Sequence, residues 1–191
     1  MFYHASQTGG IKVLEPRISN HNISLVYFSS KRENVLVYLS NAVEKYCKEK
    51  HFQYNGIWSK WGSYGFDKNG ILQFEEYYPN ALEETYEGVS GFIYSCEKIE
   101  QYADFELKIP NAFVSAKKTP VTNCEYIDNA LDEILKAQND GLIKIVRYGD
   151  FIQKREKWLK RIVRTEYEEA ESHPEYRFFL RDKFPDYLEL K

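Results

Sequence analysis

Apolar positions in this chain fall into short extended runs and a few stretches of helical period, and the mixture predicts an α+β protein. Phe2 to Ala5 and Leu25 to Phe28 are compact apolar or aromatic runs bounded by polar residues, which predicts two short strands. Between them residues 7–22 are polar and carry Gly9-Gly10 and Pro16, a loop-and-turn composition. After the second run, Ser30-Lys31-Arg32-Glu33 has the spacing of a capping box: a hydroxyl accepts from the third amide and a glutamate reaches back. Val35, Leu36, Leu39, Ala42, Val43 and Tyr46 then recur at three-and-four spacing. They predict one amphipathic helix that ends near Lys48 to Lys50, where cations suit the last carbonyls.

Residues 51–69 have no clear period. Trp58, Trp61, Tyr64 and Phe66 are interspersed with Gly56, Gly62 and Gly65, which reads as a packed loop or the lining of a ligand cleft. Packing is the commoner reason for such aromatics. Ile71 to Tyr78 is predicted extended, and Asn80 to Tyr86 a short helix after Pro79. Gly88 to Glu97 reads as a central strand. Phe105 to Ile109 and Ala112 to Ala116 read as further strands broken at Pro110, with Cys124 to Ile127 another. Asp128 is the predicted cap of a helix carrying Ala130, Leu131, Ile134, Leu135 and Ala137, closed by Asp140-Gly141. A last strand, Leu142 to Val146, precedes a long helix from Asp150 to near Ala170 and a short one from Pro174. Without strict βα alternation, these elements predict a compact, split, mostly antiparallel sheet flanked by helices. The expected division is a core over residues 1–149 and a C-terminal helical segment, 150–191, packed on the same domain.

Composition narrows the function classes. A chain of 191 residues suits one large domain or one domain with a helical appendage. The 16 tyrosines and 12 phenylalanines point to an aromatic-rich core before any cofactor box. A formal charge of −3 argues against a bulk nucleic-acid binder. No apolar run approaches the roughly 20 residues that span a bilayer, and the N-terminal MFYHASQTGG lacks the basic and apolar regions of a secretory signal. Cys47, Cys96 and Cys124 are odd in number, widely spaced and form no CxxC pair, as expected of reduced thiols in a cytoplasm. The four histidines, His4, His21, His51 and His173, show no metal-ligand spacing, so no metal is expected.

The stretch that points to a chemistry lies near the N-terminus. Tyr3-His4-Ala5-Ser6 puts a histidine on one short strand, and Val26-Tyr27-Phe28-Ser29 puts a tyrosine on the next, with a helix leaving at once. This order can set an imidazole and a phenol side by side over a cleft. Each residue alone is more often structural than catalytic; the order and context give the pair its weight. The block resembles the N-terminal half of the ADP-ribosyltransferase-like fold, in particular its small bacterial members in the histidine–tyrosine–acid group. There a strand reading tyrosine-histidine-glycine/alanine-threonine/serine precedes one reading valine-tyrosine-leucine/phenylalanine-threonine/serine. The resemblance covers about the first quarter of the chain.

The resemblance implies NAD as substrate. His4 would hydrogen-bond a ribose hydroxyl, one ring nitrogen donating and the other accepting. Tyr27 would stack on the nicotinamide. Ser6 belongs to the first motif, and Ser29 would lie near the same ribose unless it serves as a helix cap. The reaction would cleave the nicotinamide–ribose bond through an oxocarbenium-like transition state, which a carboxylate stabilises. The family's late acid is missing from the matching region, Val114-Ser115-Ala116-Lys117-Lys118-Thr119-Pro120-Val121. Glu125, narrowly preferred, and Glu97 are the nearest candidates, although a solvated strand-end carboxylate is the commoner meaning of any single glutamate. If neither reaches the cleft, the fold is a non-catalytic module recognising a nucleotide, a nucleic acid or a protein.

Two further features stand beside the resemblance. Arg17 follows Pro16 near the expected cleft, and its guanidinium suits bidentate phosphate contact as well as it suits an exposed loop. Between Lys154 and Arg164 six basic residues face one acid, Glu156, with Trp158 interleaved. Such a face can bind a phosphate backbone, but Glu166, Glu168, Glu169 and Glu171 follow directly, and a solvated helix face is the commoner meaning.

Overall fold

The computed structural model describes residues 1–18, 23–54, 63–104 and 107–188. The chain opens with β1 (Phe2–Ser6), β2 (Val13–Leu14), β3 (Arg17–Ile18) and β4 (Ser24–Ser29), followed by a 3-10 helix (Glu33–Tyr38) and α1 (Ala42–Glu49). Next come β5 (Tyr64–Phe66), β6 (Leu72–Glu75), α2 (Ala81–Tyr86) and β7 (Gly91–Cys96). The last part holds β8 (Ala112–Ser115), β9 (Thr119–Pro120), β10 (Asn123–Ile127), α3 (Ala130–Asn139), β11 (Lys144–Val146), α4 (Tyr148–Glu169) and α5 (Pro174–Lys183). The fold is α+β with mostly antiparallel sheets.

A six-stranded antiparallel sheet runs β10-β7-β1-β4-β3, with β8 also on β4. β11, β6 and β5 form a smaller sheet in which β11 runs parallel to β6, and β2 pairs with β9 in a two-stranded ribbon. One face of the main sheet packs Ala5, Ile93 and Ile127 against Leu36, Leu39 and Ile134 from the helices. The other packs Val26, Phe28, Tyr94 and Cys96 with Leu14. A third cluster joins Val43 and Tyr46 of α1 to Phe151, Leu159 and Val163 of α4 and Phe179 and Leu180 of α5. The C-terminal helices thus complete a core that α1 cannot bury alone.

Glu75 of β6 ties α4 to the smaller sheet. Its carboxylate is buried, accepts from the Tyr77 hydroxyl at 3.1 Å and pairs with Arg155 at 3.3 Å, and burial raises its pKa. Arg155 lies 4.3 Å over the Trp158 ring, so its charge is shared between carboxylate and π face.

The expected helix after Ser30 is two pieces. Residues Asn34 to Val37 are all buried, and the segment takes 3-10 rather than α-helical turns. Leu36 and Leu39 are both fully buried, and at Leu39 (φ −88°, ψ 57°) the backbone leaves the helix before α1 starts. The capping box does not form. Ser29 Oγ accepts from the Lys31 amide at 3.1 Å, Ser30 Oγ donates to Asn111 Oδ1, and no side chain caps the 3-10 helix. At α3 the cap is Asn129, whose side chain accepts from the Leu131 amide, rather than Asp128. The loop over residues 7–22 contains β2 and β3, and its residues 19–22 lie outside the described residues. Leu107 to Ile109 is not strand, while 105–106 lie outside the described residues, as do Trp58 and Trp61.

Candidate functional site

Strand pairing opens a gap in the main sheet. β1 follows β7 over its whole length, from Phe2↔Cys96 to Ser6↔Phe92, but meets β4 only at Tyr3↔Ser29. β3 meets β4 at the other end, through Arg17↔Leu25 and Ile18↔Ser24. The stretch of β4 between those ends, Leu25 to Tyr27, borders a cleft of about 450 Å³. His4, Ser6, Arg17, Tyr27 and Tyr38 are among the residues lining it. That volume falls within the roughly 300–1,000 Å³ of small-molecule sites.

The wall opposite β4 is held by a buried tyrosine. The Tyr94 hydroxyl donates to the Thr8 carbonyl at 2.7 Å and accepts from the Ile11 amide at 3.3 Å. The turn between those contacts runs so close to Phe92 that a Cβ on Gly9 would lie 2.8 Å from its ring, and Gly10 takes φ +74°. Glycines at both positions let the loop fold down and present Ile11, Val13 and Leu14 to the cleft.

His4 reaches across the gap to β4. Its Nδ1 lies 2.9 Å from the main-chain oxygen of Tyr27. A carbonyl oxygen only accepts, so Nδ1 carries the proton and, in the neutral ring, Nε2 is an acceptor. The imidazole also lies 6.1 Å from the Phe28 ring. Strand alternation places His4 with Val26 and Phe28 on one face, and Tyr27 with Tyr3 and Ser29 on the other. The imidazole and the phenol therefore share the cleft but enter it from opposite faces, not side by side. Tyr38 comes from the 3-10 helix on the Tyr27 side; burial, then the neighbouring Tyr64, raise its pKa, so it stays a neutral phenol.

The other expected site residues divide. Ser6 lines the cleft, and its hydroxyl accepts from the Thr8 amide. Arg17 lines the cleft from β3 with an exposed side chain. Ser29 does not line it; its hydroxyl accepts from the Lys31 amide in a local turn and caps no helix. Glu125 does not line it either. It pairs with Ile93, which pairs with Ala5, so it projects on the face opposite His4, two strands away. Arg32 holds it in a bidentate pair at 2.8 and 2.6 Å and also bonds Glu133, which keeps the Glu125 pKa low. Glu97 is exposed beyond the end of β7 and is likewise not a lining residue.

No family model, curated protein or solved structure matches the chain.

Two lining residues stand out that the sequence reading did not select. Tyr38 had no local motif and looked like an ordinary member of a helix. Glu15 is the only carboxylate among the described residues lining the cleft. Its Oε1 lies 2.6 Å from Lys118 Nζ, and that hydrogen bond and charge hold its pKa below the usual carboxylate value. Its signal was its place in Leu14-Glu15-Pro16-Arg17, beside the arginine that was selected.

Elsewhere, the described residues contain no group of three or more metal-ligating side chains, and none of their helices is long and apolar enough to cross a membrane. Cys47 and Cys96 are buried and Cys124 is exposed, all free thiols. On the basic face of α4, Arg155 is engaged with Glu75 and Arg164 Nε donates to the Tyr187 carbonyl. Glu75 thus offsets the charge of Arg155, while Arg164 keeps its charge and is held in place by the carbonyl.

Proposed function

We propose that this chain is an ADP-ribosyltransferase-like protein that binds NAD in the cleft between β1 and β4. The observation that carries the reading is the convergence of His4, Ser6, Arg17 and Tyr27 on one ligand-sized gap. The His4 imidazole, fixed as the Nδ1–H tautomer by the Tyr27 carbonyl, hydrogen-bonds a ribose hydroxyl. Tyr27 offers its ring to the nicotinamide, with Tyr38 beside it. Arg17 gives the pyrophosphate a planar, permanently charged donor at the mouth. The reaction that fits this cradle is cleavage of the nicotinamide–ribose bond and passage of ADP-ribose to an acceptor.

Millimolar NAD is expected to raise the melting temperature, because a ligand of the folded state stabilises it by about 2.7 kcal/mol at a hundredfold excess over Kd. His4→Ala and Tyr27→Ala are expected to lose that increment, each measured against its own ligand-free value. An unchanged wild-type melting temperature at millimolar NAD overturns the reading.

A second reading, a nucleotide-binding module without catalysis, is favoured by the placement of Glu125 and Glu97 outside the cleft. Nicotinamide release separates the two: stabilisation by NAD without release supports the module.

A further inference from the structure

We infer that Glu15 is the carboxylate that serves bond cleavage in this cleft, an inference that rests on the NAD reading above. The region expected to carry the acid, residues 114–121, brings Lys117 and Lys118 instead. The structure pairs that region with the strand that leads into Glu15. Leu14 lies opposite Thr119 and Val13 opposite Pro120. One step further in the same antiparallel register sets Glu15 against Lys118, and their side chains meet at 2.6 Å. The acid thus reaches the cleft from the partner strand, held there by the lysine.

Position and charge state both suit the role. Glu15 lines the cleft with His4 and Tyr27, whereas Glu125 lies two strands from β1, on β10, is engaged by Arg32 and does not line the cleft. Among the described residues, His4 from β1, Arg17 from β3, Tyr27 from β4 and Tyr38 from the 3-10 helix are the other titratable groups lining the cleft, and Lys118 pairs with Glu15 from the segment before β9. Lys118 and Arg17 both favour the carboxylate, so it is ionised at neutral pH. Pro16 follows directly and disfavours helical backbone at Glu15, which suits the extended approach from β2.

The step proposed for it balances with NAD and water alone. The ribose C1′–N bond breaks and its electron pair leaves on the nicotinamide nitrogen, neutralising the pyridinium. Negative charge on Glu15 stabilises the oxocarbenium that develops at C1′. A water oxygen then forms the new C1′–O bond, and its proton passes to the Glu15 carboxylate and on to solvent.

The bland alternative is an exposed salt bridge, since Glu15 and Lys118 are 58% and 69% exposed, and such pairs contribute little to stability. That exposure makes Glu15→Gln a clean probe, because the variant should fold. The experiment measures nicotinamide release and the NAD-induced melting shift in wild type, Glu15→Gln and Lys118→Met. Supported, Glu15→Gln keeps the shift while release falls by about 100-fold or more. Lys118→Met keeps the shift too, and the acid limb of its release–pH profile moves to higher pH, a change that loss of a merely structural bridge does not produce. Release from Glu15→Gln equal to wild type overturns the inference and leaves NAD binding standing. NAD stabilisation with no release from wild type also overturns it. An absent wild-type shift overturns the NAD reading and this inference with it.

Discussion

The Nδ1–H of His4 donates to the main-chain oxygen of Tyr27 at 2.9 Å, across a gap where β1 and β4 no longer pair. A side chain thus spans two strands that part immediately beyond Tyr3↔Ser29, and it does so inside the candidate cleft.

Removing the imidazole is expected to act on both stability and ligand response. His4→Ala leaves a part-buried carbonyl without this donor, and the loss should be about 1–3 kcal/mol in denaturant melts. A variant as stable as wild type would show that the contact contributes nothing to the fold.

Glu125→Gln is expected to change little. The pair with Arg32 is well formed, but Glu125 is 45% exposed and Arg32 keeps Glu133, so solvent screening limits the loss to about 1 kcal/mol or less. Nicotinamide release should match wild type. A large fall in release with NAD stabilisation intact would return the catalytic assignment to Glu125.

Gly91→Ala tests the packing beneath the cleft. A Cβ there would lie 2.6 Å from Leu39 Cδ2 and 3.1 Å from the Ser6 carbonyl oxygen. Leu39 is fully buried and the Ser6 oxygen is backbone, so neither yields easily. A loss of about 1–3 kcal/mol is expected, with a smaller NAD response because Ser6 lines the site. Unchanged thermal melting would mean that Leu39 repacks freely against β7.

Asp67 gives a pH dependence of known sign. Its carboxylate accepts from Lys144 at 2.7 Å and from the Asn69 and Ile71 amides, which lowers its pKa from 3.8 to about 2. A depressed carboxylate stabilises the fold above its unfolded pKa, and that contribution disappears as pH falls through the folded value. Between pH 5 and pH 2, Asp67→Asn should therefore lose less stability than wild type, as read by urea midpoints at each pH. Parallel curves for the two proteins would remove Asp67 as a source of the acid lability.

How much was legible in advance differs from element to element. β1, β4, β7 and α4 carried their own apolar runs or helical periodicity, and all four stand within a few residues of expectation. The helix after Ser30 did not, because the periodic pattern runs across Leu39, where the backbone leaves the 3-10 helix, and tertiary burial of Asn34 to Val37 is invisible to a local period. β2, β3 and β9 are two residues each, too short for any period to register, so they were read as loop or folded into neighbouring segments.

The sequence by itself determined the α+β class and the order of the His4 and Tyr27 strands, because strand runs, helical periods and turn residues are local properties. Tertiary structure alone decided which side chains share the cleft. Pairing only at Tyr3↔Ser29 opens the gap, strand alternation sends the imidazole and the phenol to opposite faces, and the β2–β9 register brings Glu15 to Lys118. Residues 15 and 118 are distant along the chain, and only hydrogen bonding between two short strands makes them neighbours.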